Sequence, residues 1–431
     1  MTTSTVSSKG KTTLRTVVLI ATLFLGYFMI YVDKLSISIS IIPISKELGI
    51  TPSQKGMIMS AFFLGYAVMQ IPYGFLNTKL GSKKILTFSI FSLGFFAALF
   101  SFGTSIIYFI LIRFLAGAIA HAGYPQSASK EVQSSIPLSQ RTFTQGILIS
   151  SSGIASIFGP LFISPAVQNL GYKQTYLILT VIAVIISLVL LFVIPNNNVT
   201  TATAAQKVTE KISLKTVLSN RLVWVLFGCD LLINAVMYGV INWTPSFLTS
   251  NEVGFSLTQQ GNMTSITGVC FLIGSLGGSF IVGKYFLNKE RLVIAVTTLV
   301  GSATLFLAYQ IPHGNAINMI PITLCFALAE LCYATAFVSL VSLPLKRFKP
   351  AEFSPSYAFM ATGGILGGAI APYLIGALVE KTGSYATIFT LFLILGLLST
   401  IVIFFVPKHY TPIESDKQVM SELEELSQQE L

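Results

Sequence analysis

Charge is scarce in this chain. Of its 431 residues only 10% are Asp, Glu, Lys or Arg, where a soluble domain carries about a quarter. There are 3 His, 2 Trp and 4 Cys. This excludes a water-soluble enzyme. No Walker-type phosphate loop is present, so ATP is not the driving force. No His pair has metal-ligand spacing, and no Ser or Cys nucleophile sits beside a base at helical spacing. No enzyme activity, metal or cofactor is therefore expected. What fills the chain is hydrocarbon: 53% of residues are hydrophobic, 33 of them Phe, and the mean hydropathy is +0.78. The 26 Lys plus Arg exceed the 16 acids by 10. Among such apolar runs that surplus makes no basic face for nucleic acid, so it needs a membrane explanation.

A bilayer core takes roughly 20 apolar residues as helix, because lipid leaves no backbone polar group a partner outside the chain. Twelve such runs are found, at 16–43, 55–76, 85–103, 105–128, 145–168, 174–195, 221–248, 260–283, 291–312, 316–343, 355–379 and 384–406. The polar start, Met1 to Thr13, is followed by a run too long for a cleaved signal peptide, which reads as a true first span. Cys229, Cys270, Cys325 and Cys332 all fall inside spans and read as packing residues.

Basic residues orient the spans. With the N-terminus in the cytoplasm, Lys46, Lys55, Lys173 and Lys381 face out and Lys34 and Arg113 lie within spans, which leaves 20 of the 26 on the cytoplasmic side. Both termini are expected there, in a multi-pass protein of the plasma membrane. The polar stretch from Pro195 to Asn220 splits the runs six and six, as a pair of structural repeats would. The expected division is an N-terminal six-helix half (1–195), a cytoplasmic linker (196–220), a C-terminal half (221–410) and an acidic cytoplasmic tail (411–431). The fold class is all-α, twelve transmembrane helices in two six-helix pseudo-symmetric bundles.

An ionisable side chain deep in a span is costly, so it faces a protein interior or a water-filled cavity and marks a pathway. The chain places Asp33 and Lys34 in span one, Arg113 and His121 in span four, Asp230 in span seven and Glu330 in span ten. These spans recur with a period of three, so they are expected to line one central cavity between the repeats. Counted along the helix rise, Lys34 and Arg113 both fall roughly 12 to 14 Å below the outer surface, where two cations at one level grip one anion. Glu330 has no base within a turn and lies among Ala, Leu, Cys and Tyr. It is a candidate for reversible protonation, with Asp33, His121 and Asp230 as further proton-coupling candidates. Asp33 pairing with Arg113 simply to hold helices together is the structural alternative. Nearby aromatic and amide residues, Tyr31, Tyr66, Gln70, Tyr124, Tyr238, Asn242, Trp243, Tyr333 and Tyr357, are candidates for substrate contact. Spans five (Gly153, Gly159, Pro160) and eleven (Gly363, Gly364, Gly367, Gly368, Pro372) are candidate flexing elements at the repeat interface.

The segment from Gly74 through Gly81, Lys83 and Lys84 resembles the gating loop between spans two and three of the major facilitator superfamily. Arg113 with Gly117, and Gly159-Pro160, resemble its motifs on spans four and five. Tyr31-Val32-Asp33-Lys34, Tyr66 to Gln70 and Arg113 to Pro125 are similar to the anion:cation symporter family within it. That resemblance implies an organic anion, such as a sugar acid, moved together with protons, with Tyr31, Lys34, Tyr66 and Gln70 on the substrate and Asp33 in proton coupling. The chain departs from the pattern in having Lys34 where Arg is usual, Ala120 where span four usually has an acid, Thr78 where the loop usually has one, and Val282 at the corresponding place in the second half.

The expected function is secondary transport by alternating access, with a small organic anion, protons and the lipid bilayer as partners and a monomer as the working unit. The alternatives are a proton-driven exporter of cationic or amphipathic compounds and a solute sensor that moves nothing.

Overall fold

The structure, a computed structural model, describes residues 4–136, 138–195, 214–286, 289–311, 319–348 and 350–407. Among them, twelve helical segments are long and apolar enough to cross a membrane. In chain order the helices are α1 (Ser4–Leu48), α2 (Pro52–Leu80), α3 (Ser82–Ser101) and α4 (Ile106–Leu115). A π-helical turn, Ala116–His121, then leads into α5 (Tyr124–Ser135). α6 (Leu138–Leu170) and α7 (Tyr172–Val193) complete the first six spans. A short α8 (Leu214–Ser219) precedes α9 (Arg221–Leu248), α10 (Leu257–Tyr285), α11 (Glu290–Gln310), α12 (Met319–Arg347), α13 (Pro350–Thr382) and α14 (Ala386–Ile403). Most of the expected linker and the whole acidic tail lie outside the described residues.

Large apolar side chains such as Phe88, Phe91, Phe95, Val181 and Ile185 stand exposed on the outer surface, where lipid covers them. Helix contact therefore rests on close packing rather than on water exclusion.

The first span runs further than the sequence suggests. α1 passes through Pro43 and ends at Leu48, because Ile41, Ile42 and Ile44 remain buried and neighbouring helices tolerate a proline in a membrane helix. Lys34 thus lies about fourteen residues, roughly 21 Å, from the end of its helix, whereas Arg113 is about seven residues, roughly 10 Å, into α4. The helix ends are staggered, and the two cationic groups still lie near one level, since Arg113 Nη1 reaches Oδ2 of Asp33, the residue before Lys34, at 3.5 Å.

The fourth span is broken in its middle. The Ala122 amide bonds the Gly117 carbonyl at 3.2 Å, an i to i+5 closure, which makes the π turn between α4 and α5.

The halves meet through α2 against α13, α6 against α10 and α1 against α9. Two faces are distinguished below: the terminal face, where α1 begins and α14 ends, and the opposite face. On the opposite face the two halves repeat one device. α2 opens with a capping box, Thr51 with Gln54, and α10 opens with Ser256 and Gln259 in the same roles. Each N-terminus also takes a cap from the other half. The Ser53 amide donates to Glu380 Oε2 at 2.9 Å, and the Thr258 amide and hydroxyl donate to Gln168 Oε1 at 2.9 and 3.0 Å. Five residues beyond each cap a glycine admits a proline carbonyl. A Cβ on Gly56 would stand 2.4 Å from the Pro372 oxygen, and one on Gly261 would stand 2.9 Å from that of Pro160 and closer still to Ser164. Ser60 Oγ accepts from the Tyr373 amide at 3.1 Å, and Ser164 Oγ from Gln260 Nε2 at 2.9 Å. This face is shut.

Candidate functional site

A cavity of about 380 Å³ lies between the halves. Its walls come from α1, α6, α9, α10 and α12, with Phe63 of α2. It reaches past Gly146 and Ser279 toward the terminal face, and a Cβ on Gly146 would meet no atom within 4 Å beyond its own stretch of helix. Spans one, seven and ten line it as the sequence suggests. Span four does not: α6 takes that side, and the charges of span four turn toward the back of α1.

Among the described residues the wall carries one cation and one carboxylate, Lys34 and Glu330. Lys34 Nζ donates to Tyr238 Oη at 2.9 Å and lies 4.3, 5.0 and 5.8 Å from the ring centres of Tyr238, Phe63 and Tyr31. Three aromatic faces thus hold an ammonium without neutralising it. Glu330, half-buried about eleven residues into α12, has no hydrogen-bond or ion-pair partner among the described residues. Around the two charges stand neutral groups: Asn234 and Asn242 on α9, Ser152 and Ser156 on α6, and Gln260, Thr264 and Thr267 on α10. Asn242 Nδ2 donates to the Tyr238 carbonyl at 2.7 Å, which leaves its amide oxygen open to a ligand.

Directly behind Lys34 is a second ionic group, closed off from the cavity. Asp33 Oδ2 meets His121 Nε2 at 2.9 Å and Arg113 Nη1 at 3.5 Å, all three residues buried. The guanidinium packs 4.5 Å from the Phe62 ring centre. Arg113 is therefore tied to Asp33 rather than offered to a ligand, which corrects the expectation that it grips one anion together with Lys34.

Several other expected contacts are structural. Tyr124 is fully buried and donates its hydroxyl to the Leu23 carbonyl at 2.9 Å. Trp243 gives its indole N–H to the Pro372 carbonyl at 3.0 Å, and Tyr333 pairs with Ser302. Tyr66 packs against Tyr73, Ile85 and Ala122, off the cavity wall but within electrostatic reach of Tyr31 and Tyr238 on it. Gln70 accepts from Gln126 Nε2 at its backbone oxygen, 2.9 Å. Tyr357 lies half-buried on α13, away from the cavity wall. Asp230 is also off the wall. Its Oδ1 accepts from Asn234 Nδ2 at 2.9 Å and its Oδ2 from the Gly364 amide at 3.0 Å, which clamps α9 to α13. Of the expected residues, Tyr31, Lys34, Tyr238, Asn242 and Glu330 meet on the cavity.

At the loop between α2 and α3, Gly81 turns with φ +81°. Lys130 Nζ donates to the Asn77 carbonyl at 2.5 Å, and Ser82 donates to the buried Glu131. Gly74 packs beside Gln126, and Lys83 is half-buried while Lys84 is exposed. The side chain of Thr78 lies outside the described set.

The sequence profile of the Major Facilitator Superfamily matches residues 23–351 and 250–428. The chain belongs to the major facilitator superfamily. A probable sulfoacetate transporter of Cupriavidus necator is 26% identical over 84% of this chain and 86% of that one. A probable galactarate/D-glucarate transporter of Bacillus subtilis is 25% identical over 89% and 90%. The fold is shared with a crystallised bacterial homolog of the human lysosomal transporter Spinster, in an inward-facing and occupied conformation, at a TM-score of 0.75 and 15% identity over 91% and 98% of the two chains. This protein is a multi-pass membrane transporter, not an enzyme.

Proposed function

We propose that the protein moves a small organic anion together with a proton, exposing the cavity to one side of the plasma membrane and then the other. The terminal face lies in the cytoplasm, which agrees with the basic loops on that side, and the monomer is the working unit. Lys34 holds the anionic group of the substrate and Glu330 takes the proton.

The observation that carries this reading is the pair of unlike charges on one cavity wall. Empty, the cavity holds an ammonium and a carboxylate. Loaded with an anion and a proton, it holds an ammonium, the anion and a neutral acid. Its net charge is the same in both states. An anion without its proton leaves one uncompensated negative charge in a low-dielectric interior, at a cost of several kcal/mol. Reorientation is thereby favoured for the empty and the fully loaded carrier, and thermodynamic reciprocity makes anion and proton promote each other's binding. Relatives named for sulfoacetate and for galactarate/D-glucarate agree with the sign of the cargo. A cation exporter loses support, because Asp230 lies off the cavity wall with its two oxygens taken up by Asn234 and the Gly364 amide.

The test is uptake by proteoliposomes under an imposed pH gradient, with labelled glucuronate, gluconate and sulfoacetate as probes. The parent accumulates its substrate above equilibrium, about tenfold for each pH unit if one proton moves with it. Glu330→Gln exchanges the same anion without accumulating it. Undiminished gradient-driven accumulation by Glu330→Gln would show the proton assignment to be wrong.

A further inference from the structure

We infer that the substrate is a monoanion with a polar, uncharged far end, and that Glu330 is the residue that excludes dianions. This deepens the reading of the cavity as an organic-anion site and rests on it. It departs from the charge of the ligands in the names of the relatives above, since sulfoacetate, galactarate and glucarate each carry two negative charges at neutral pH.

A dianion needs two positive counterparts, and the cavity presents one. Lys34 is the cation on the wall. The other buried cation, Arg113, is engaged by Asp33 behind α1, with His121 on the same carboxylate oxygen. Releasing Arg113 would leave Asp33 with His121 alone and would demand passage through the packed Phe62 contact. Across from Lys34 stands the opposite of a second cation: a carboxylate with no partner among the described residues. Lys34 and Glu330 line the same cavity from α1 and α12, one in each half. A substrate anchored by one end on Lys34 therefore presents its other end to the α10 and α12 wall.

That wall is suited to hydroxyls rather than to charge. Gln260, Thr264 and Thr267 follow one another at i, i+4 and i+7 on α10, and Asn242 adds an open amide oxygen. An amide oxygen accepts from a substrate hydroxyl and repels a carboxylate. Charge conservation in the loaded state agrees. A monoanion with one proton leaves the cavity neutral, whereas a dianion with one proton leaves it negative by one. Glu330 thus acts on specificity through charge: ionised, it repels a second anionic group, and protonated, it leaves that group without a positive counterpart.

The experiment compares ligands matched in size and unlike in charge: gluconate with glucarate, galacturonate with galactarate, and ethanesulfonate with sulfoacetate. Affinity is read from ligand-induced thermal stabilisation of the purified full chain and from competition in proteoliposome uptake. In the parent the monoanion of the preferred pair binds at least tenfold more tightly. Glu330→Lys supplies the missing cation and reverses the preference within that pair. Glu330→Gln, which keeps the size, narrows it to a few-fold. A parent that binds the dianion as well as its monoanionic mate overturns the inference and leaves the organic-anion reading standing. So does a preference unmoved in both variants when each still binds the monoanion. If no member of any pair binds the parent, the organic-anion reading itself falls, and this inference with it.

Discussion

Gly56→Ala tests whether the backbone contact between α2 and α13 holds the opposite face shut. The added methyl would stand 2.4 Å from the Pro372 oxygen, 2.8 Å from the Tyr373 Cα and 3.0 Å from the Pro372 carbonyl carbon. All three obstacles are backbone, so no rotamer change relieves the clash. Ordinary contact begins about 1 Å further out, and only separation of the helices supplies it. Overpacking of this kind costs about 1–3 kcal/mol. The cost falls on the state in which α2 and α13 touch, so the population ratio shifts about 5- to 150-fold toward a state open on the opposite face. The assay is a spin-label distance between cysteines placed at Lys173 and Lys381 in a background without the four native cysteines. Both sites lie on the opposite face, one in each half. The separation should lengthen in Gly56→Ala and stay at the parent value in Gly146→Ala, whose Cβ meets nothing within 4 Å. A folded Gly56→Ala protein with the parent distance distribution refutes the claim that this contact latches the face.

Three further outcomes follow from the contacts. Lys34→Met removes the cavity cation while keeping most of its length, and should weaken binding of the preferred organic anion by about 2–5 kcal/mol, at least 30-fold; a change below threefold by equilibrium binding would place the anion elsewhere. Asp33→Ala leaves Arg113 and His121 buried against each other without their carboxylate and should lower stability by about 3–5 kcal/mol, read as an earlier thermal transition in detergent; an unchanged transition contradicts the ionic lock. Asp230→Ala strips the Gly364 amide and the Asn234 side chain of a partner and should cost about 1–3 kcal/mol while gradient-driven uptake persists, and loss of coupling in a stable variant would make Asp230 a proton carrier after all.

Lys34 and Glu330 were legible in the sequence because charge in a span is expensive, and the chain has few such residues. The same rule also selected Asp33, His121, Arg113 and Asp230, and it cannot separate a charge facing a cavity from one neutralised by a partner on another helix. That distinction lives in helix rotation and depth. Arg113 stands near the level of Lys34 but on the other side of α1, where Asp33 takes it up; a count along the helix rise gives level and not side. Tyr124, Trp243 and Tyr333 read as ligand contacts because a polar tip on a ring suits a binding site. It suits a buried helix contact equally well, and here each tip is spent on a neighbouring carbonyl or hydroxyl. The polar stripe of Gln260, Thr264 and Thr267 went unnoticed among the many Ser and Thr of the spans, although its spacing marks one helix face. The paired caps at Thr51 and Ser256 were visible as Thr-Pro-Ser-Gln and Ser-Leu-Thr-Gln, but their cross-half partners Glu380 and Gln168 were not. Nothing local says which helix end stands opposite.

The π turn at Ala116–His121 gives one span two angular settings. A single extra residue in a turn swings everything downstream by about 100° relative to an uninterrupted α-helix. Upstream of it, Arg113 points at Asp33; downstream, the rotated face delivers Glu131 to Ser82 and Lys130 to Asn77. Excising one residue from the turn would straighten the rod and force a choice between those partners, so the ionic lock in mid-membrane and the clasp on the loop are joined mechanically through an irregularity six residues long.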